Sequence, residues 1–187
     1  MLDSIQMQAL QRIKKELEQL ERCPNPNIGL TVGCDEQNNL FKWRATLKGP
    51  KDTSYKGGLF ILIINFPLDY PNHAPEIVFK TPIYHLNVNP IKSRLSGAEP
   101  LGHICTSTLN WWRSEYSMNE VMANIYGLFY MANPDSPYGL DRANEFKYNR
   151  PLYEEKIKYF TEKYANANKI NIDKNYYDSW DFTYPSH

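Results

Sequence analysis

Between Asp3 and Arg22 the apolar side chains Leu10, Ile13, Leu17 and Leu20 return at helical spacing, and Asp3 followed by Gln6 fits a capping box at the start of an amphipathic helix. The opposite stripe carries Arg12, Lys15, Gln19 and Arg22, the pattern of a solvated helix face. Cys23-Pro24-Asn25-Pro26 stops the helix. The period then changes to two: Phe41, Trp43, Ala45 and Leu47 alternate with Lys42, Arg44, Thr46 and Lys48, which predicts a half-buried antiparallel strand. Gly49-Pro50 and Gly57-Gly58 mark turns. Leu59 to Phe66 is apolar on both faces except at Asn65, which predicts a central strand, and Glu76 to Lys80 predicts a short further one. A meander of about four strands thus follows one helix.

From Thr81 to Trp112 the periodicity disappears, and so long a stretch without a pattern inside a compact domain tends to carry function. Ser117-Met118-Asn119-Glu120 is a second capping box, opening a helix with Met118, Val121, Met122, Ile125, Leu128 and Phe129 on its apolar face. Asn133-Pro134-Asp135-Ser136-Pro137 breaks it, a short helix is expected from about Asp141, and Pro151 opens a last one with Tyr153, Ile157, Phe160 and Tyr164 on one side. The order is N-terminal helix, four-stranded antiparallel meander, long loop and C-terminal helices, an α+β domain. That domain is expected to span residues 1–166. Residues 167–187, rich in Asn, Asp and Tyr, read as a tail too short to enclose a core, although Tyr176, Tyr177, Trp180, Phe182 and Tyr184 can pack onto the domain.

Charge narrows the partners. The 21 Lys and Arg balance the 21 Asp and Glu, so no one-signed surface advertises a nucleic acid or an acidic membrane. No window approaches the roughly 18 apolar residues of a membrane span. A monomer of the cytoplasm or nucleus, or both, is the expectation. Three cysteines, Cys23, Cys34 and Cys105, cannot all pair and read as free thiols of a reducing compartment. Cys23 and Cys34, beside a helix stop and in an expected strand, read as packing residues. Cys105 lies in the irregular loop, where three chemistries compete. Zinc binding by His85, His103 and Cys105 matches no finger spacing and lacks a fourth ligand. A thiol hydrolase would pair Cys105 with one of those histidines. A thiol that carries an acyl group as a thioester needs an accessible thiolate and an oxyanion donor, but no strong base.

Six segments in order decide among these: Gly49-Pro50 through Tyr55-Lys56-Gly57-Gly58 and Phe60; Phe66-Pro67 and Tyr70-Pro71 through Pro75; Tyr84-His85-Leu86-Asn87; Gly102-His103-Ile104-Cys105; Trp112; and Asn133-Pro134-Asp135-Ser136-Pro137. In these the chain resembles the ubiquitin-conjugating enzyme family, from about Ala9 to Ala165. The resemblance implies that Cys105 accepts ubiquitin or a ubiquitin-like protein from an activating enzyme as a thioester and passes it to a substrate lysine or a ligase. It implies that Asn87 orients the active-site loop or donates its amide to the oxyanion, and that Tyr84 and His85 support the loop, His85 as a hydrogen-bonding residue rather than a base. Asp135 supplies a carboxylate to the gate for the incoming lysine, and Ser136 stands where many members have a second acid. Arg12 and Lys15 fall where members bind the activating enzyme and, overlapping it, the ligase; Asn72, His73, Arg113 and Ser114 fall in the ligase-facing loops. Its protein substrates are not specified, and no metal or small-molecule cofactor is implied, ATP being consumed by the activating enzyme. A non-catalytic binding variant on the same scaffold is the alternative.

The pattern departs in two places near the nucleophile. Leu86 replaces the usual proline between His85 and Asn87, so one fixed φ is lost. Asn87 and Cys105 stand 18 positions apart, roughly ten more than the common pattern, an excess that falls within Asn89 to Pro100 and costs little chain entropy at a surface.

Overall fold

A computed structural model describes residues 3–32, 39–92, 95–171 and 180–185. Helix α1 (Ser4–Arg22) starts at Asp3, whose carboxylate accepts from the Gln6 amide while the Gln6 side chain accepts from the Asp3 amide. Strands β1 (Ile28–Val32), β2 (Lys42–Lys48), β3 (Leu59–Asn65) and β4 (Glu76–Phe79) follow as an antiparallel meander in the order β1-β2-β3-β4. The register pairs Ala45 with Leu62 and Ile64 with Ile77, which aligns the inward-facing residues of three strands. Alternation in β2 buries Trp43, Ala45 and Leu47, as period-two patterning requires. Beyond the long loop lie α2 (Ser107–Asn110), α3 (Met118–Gly127), α4 (Leu140–Tyr148) and α5 (Arg150–Tyr164). The Ser117–Glu120 capping box opens α3, and Asn149 with Pro151 opens α5. The core gathers β2, β3 and β4 against Ile13 of α1, the Met118, Val121, Met122 and Ile125 face of α3, and Tyr153 and Phe160 of α5. The architecture is the expected α+β arrangement.

Three expectations are corrected. The buried face of α1 is Ala9, Ile13 and Glu16, with Leu17 and Leu20 only partly covered. Glu16 is drawn inward because its carboxylate accepts from the Arg12 guanidinium at 2.6 Å, the Tyr70 hydroxyl at 3.3 Å and the Met118 amide at 2.9 Å, the last at the first turn of α3. Cys23, expected to pack, is exposed at the C-terminal end of α1; Cys34, Tyr176 and Tyr177 lie outside the described residues. The stretch from Thr81 lacks periodicity, yet its first part is not a surface loop, since Thr81 to Asn89 are all buried. Within it Val88 bridges Ile104, His103 bridges Val78, and the single turn α2 forms behind Cys105.

Gly102 shows why this stretch needs its glycine. It sits at φ +80, and a Cβ there would stand 2.2 Å from the Phe79 carbonyl oxygen. That closeness lets Phe79 donate its amide to Gly102 and brings the Cys105 segment alongside β4.

Candidate active site

The site rests on the segment from Tyr84 to Asn89, which several elements grip from behind. The Tyr55 hydroxyl donates to the Tyr84 carbonyl at 3.0 Å, and the Leu86 amide donates to the Tyr153 hydroxyl at 2.9 Å. A proline at 86 could not make the second bond, so the departure at Leu86 exchanges a fixed φ for a buried donor with a dedicated acceptor. Tyr84 itself donates to Glu145 at 2.7 Å and stacks on Phe160.

His85 is buried, and both ring nitrogens are committed. Nδ1 accepts from the Asn87 amide at 2.9 Å, which puts the proton on Nε2, and Nε2 donates to the Leu128 carbonyl at 3.0 Å. Burial lowers its pKa to about 4, so it is neutral at pH 7. It is a fixed link between the loop and the end of α3.

Asn87 is the node of the site. Its carbonyl accepts from the Cys105 amide at 2.9 Å. Its side-chain amide donates to the Asn133 carbonyl at 2.7 Å and the Ser136 carbonyl at 2.8 Å, while its side-chain oxygen accepts from the Asn133 amide at 2.8 Å. Both amide hydrogens are thus used in holding the 133–136 turn. The turn is completed by the Asp135 amide donating to the Asn133 side chain and by the Tyr138 amide donating to the Leu86 carbonyl. Asp135 is exposed and Ser136 half-buried.

Cys105 is a free, half-buried thiol immediately before α2. Thr106 caps that turn, and the Asn110 amide reaches back to donate to the Cys105 Sγ at 3.2 Å. Nothing in the sequence pattern singles out Asn110; only the closing of α2 brings it to the sulfur. Of the histidines considered as zinc ligands or bases, His103 is tied to the Tyr138 hydroxyl at 2.6 Å and to Glu99 at 3.2 Å, and His85 to the bonds above. Among the described residues no three His, Cys, Asp or Glu side chains gather as a metal-ligand set. Burial pushes the Tyr138 hydroxyl up to about 12, with Glu99 and Cys105 adding to the shift, so it stays a proton donor.

The extra residues before Cys105 are exposed from Leu95 to Pro100 but pinned at their base. The buried Asn89 donates to the carbonyls of Glu99 at 2.9 Å and Pro100 at 3.0 Å, and accepts from the Ile91 amide at 3.0 Å. The insertion therefore leaves the pairing of Val88 with Ile104 intact.

Of the residues expected to dock partners, Arg12 and Ser114 are in contact, and this calls for one correction. Arg12 is not a free surface cation: its side chain is 26% exposed and donates to Glu16, to the Ser114 carbonyl at 3.0 Å and to the Tyr116 carbonyl at 2.9 Å. It clamps the loop that follows Trp112, whose indole N–H donates to the Pro71 carbonyl at 2.7 Å and so joins this loop to the one bearing Asn72 and His73. Lys15, Asn72, Arg113 and Ser114 are exposed, as is His73, paired with Asp69 at 2.5 Å. Sequence reasoning missed the two large apolar side chains on these loops, Leu68 at 55% exposure and Trp111 at 78%.

A family model described as ubiquitin-conjugating enzyme matches residues 12–161, which include Tyr84 to Asn89, Cys105, Asn110 and the 133–136 turn.

Proposed function

The chain belongs to the ubiquitin-conjugating enzyme family, and from that premise we propose that Cys105 carries ubiquitin as a thioester, taken from an activating enzyme and passed to a substrate lysine or to a ligase. The observation that carries this reading is the convergence on one free thiol of Asn87, through the Cys105 amide, and of Asn110, through Sγ.

In charging, the Cys105 thiolate attacks the carbonyl carbon of the activating enzyme's thioester, a tetrahedral oxyanion forms, and its collapse expels the other thiolate. One carbon–sulfur bond replaces another, so the step needs no redox partner and no strong base. In discharge a neutral amine attacks the same carbon, loses a proton, and Sγ leaves. A lysine of ordinary pKa near 10.4 arrives protonated, so the site must favour its neutral form or accept its proton. Asp135, exposed on a turn that Asn87 fixes, is the carboxylate we assign to that task, with Ser136 beside it.

We assign the oxyanion donor to Asn110 rather than Asn87. The acyl oxygen sits on a carbon bonded to Sγ, and an amide already at 3.2 Å from that sulfur has it within reach. Asn87 in this account is a positioning residue for the 133–136 turn and for the Cys105 amide.

Lys15, Leu68, Asn72, His73, Trp111, Arg113 and Ser114 form the docking face for the activating enzyme and ligase, its apolar contact coming from Leu68 and Trp111. A thiol that must remain free is suited to a reducing compartment, and the cytoplasm or nucleus is the location this reading proposes. The test is incubation with activating enzyme, ATP and ubiquitin, resolved on non-reducing gels beside parallel reactions with ubiquitin-like proteins. The proposal expects a thiol-labile adduct with ubiquitin that Cys105→Ala abolishes; an adduct formed with another modifier alone would reassign the modifier, and none with any would refute the reading.

A further inference from the structure

Arg142 of α4 is only 6% exposed, and it points at the back of the active-site segment. Its Nη1 donates to the carbonyls of His85 at 3.1 Å and Val88 at 3.5 Å, the two residues that bracket Leu86 and Asn87. The guanidinium carbon lies over two neighbouring aromatic rings, Tyr84 with its centroid at 4.4 Å and Phe182 at 4.6 Å, whose own centroids are 5.7 Å apart. Burial pulls its pKa down, and the oxygens of Tyr84, Tyr153, Tyr55 and Glu145 oppose that shift. Arginine keeps its proton under such conditions.

Phe182 belongs to the tail, outside the matched family region. The tail is seated on α5 by several contacts. Phe182 meets Phe160 edge-on at 5.0 Å and Tyr84 at 5.7 Å, and Trp180 packs on Phe182 at 5.8 Å. The Tyr184 hydroxyl donates to Glu155 at 2.6 Å while its ring meets Tyr159 at 5.3 Å. The Tyr164 hydroxyl donates to the Asp181 carbonyl, and Lys163 lies 3.7 Å from the Asp181 carboxylate.

We propose that residues 180–185 are a strap whose Phe182 seals Arg142 from water, so that Arg142 and Phe182 act as positioning residues for Asn87 and, through it, for Cys105. A guanidinium held to carbonyl oxygens is a strong tie in a dry, low-dielectric setting and a weak one once water reaches it. Phe182 is one of the two adjoining rings that cover the guanidinium, and its quadrupole attracts the cation directly. Loosening Arg142 frees the carbonyls on both sides of Asn87. Asn87 then holds less firmly both the amide of Cys105 and the 133–136 turn. The aromatic tail is, on this account, part of the catalytic device.

The catalytic half of the proposal rests on Cys105 being the acyl carrier; the positional half does not, and the test separates them. Amide hydrogen exchange is measured on the full chain for wild type, Phe182→Leu, which keeps apolar bulk but removes the ring, and Phe182→Tyr, which restores it. Exchange at the Leu86, Asn87 and Cys105 amides should rise about tenfold in Phe182→Leu, stay at the wild-type rate in Phe182→Tyr, and not change in β2 and β3. The charged Phe182→Leu protein should pass its acyl group to free lysine several-fold more slowly at saturation, roughly the share of oriented site that is lost, with the half-saturating lysine concentration unchanged. Unchanged exchange at those three amides, or an equal rise throughout β2 and β3, would overturn the strap; a local rise with wild-type discharge would overturn the positioning claim. If wild type accepts no modifier, the acyl-carrier reading fails, and exchange alone decides the strap.

Discussion

His85 links a single side chain to the stability of the whole domain. In the folded chain its pKa is about 4, against 6.5 when free, because the ring is buried with both nitrogens in fixed bonds. Below pH 6.5 the unfolded chain takes up a proton that the folded chain refuses until about pH 4, so this residue's contribution is complete above pH 6.5 and is lost as pH falls across that window. The loss is on the order of 3 kcal/mol. Urea titrations at pH 7 and pH 4.5 should show it, and His85→Gln should flatten that part of the pH dependence. The two asparagines separate at the same scale. Asn110→Ala should slow discharge about 10- to 100-fold by removing the donor at sulfur, with little effect on melting temperature because Asn110 is exposed. Discharge at the wild-type rate in single-turnover assays would remove Asn110 from the oxyanion site.

At the scale of elements, the departure at Leu86 makes an unusual prediction. Restoring a proline there deletes the amide that the Tyr153 hydroxyl accepts, so Leu86→Pro should destabilise by about 1–3 kcal/mol in chemical denaturation. Tyr153→Phe, which strands the same amide, should cost a similar amount, and the double variant should cost much less than the two together. The elements themselves were readable wherever a local rule governed them: the capping boxes of α1 and α3, the alternation of β2 and the Pro151 start of α5 each depend on residues within a few positions. Cys105 stood out as a candidate because a thiol and two histidines in a stretch without period are conspicuous, but which of three chemistries it serves was narrowed only by the family resemblance. Glu16, Asn110 and Arg142 were not readable, and Phe182 was readable only as an aromatic able to pack onto the domain, not in its contact with Arg142. Glu16 sits on a helix face whose leucines look better suited to burial, and it is buried because Met118, 102 positions away, needs an acceptor. Arg142 is 57 positions from the His85 carbonyl it holds. Such roles come from tertiary contact and leave no periodic trace.

Across the whole molecule, a net charge of zero conceals a division of labour among the cations. Arg12 is structural and Lys15 is exposed, although they are one helical turn apart. Arg12→Glu should therefore destabilise by about 3 kcal/mol, leaving Glu16 buried without its partner. Lys15→Glu should leave the melting temperature unchanged and slow charging by the activating enzyme, as a rim charge does when it steers association. Comparing both variants by thermal melts and initial charging rates separates folding from docking, which reversing the two charges together would confuse. The claim beneath all of this is that Cys105 forms a covalent acyl bond, and intact mass of the Cys105→Ser protein after incubation with activating enzyme, ATP and ubiquitin tests it most directly. The account predicts a mass increase of one ubiquitin less one water, resistant to thiol reductant and released by alkali as an oxyester. An unmodified Cys105→Ser protein, beside a wild-type chain that likewise gains no thiol-labile mass, would contradict it.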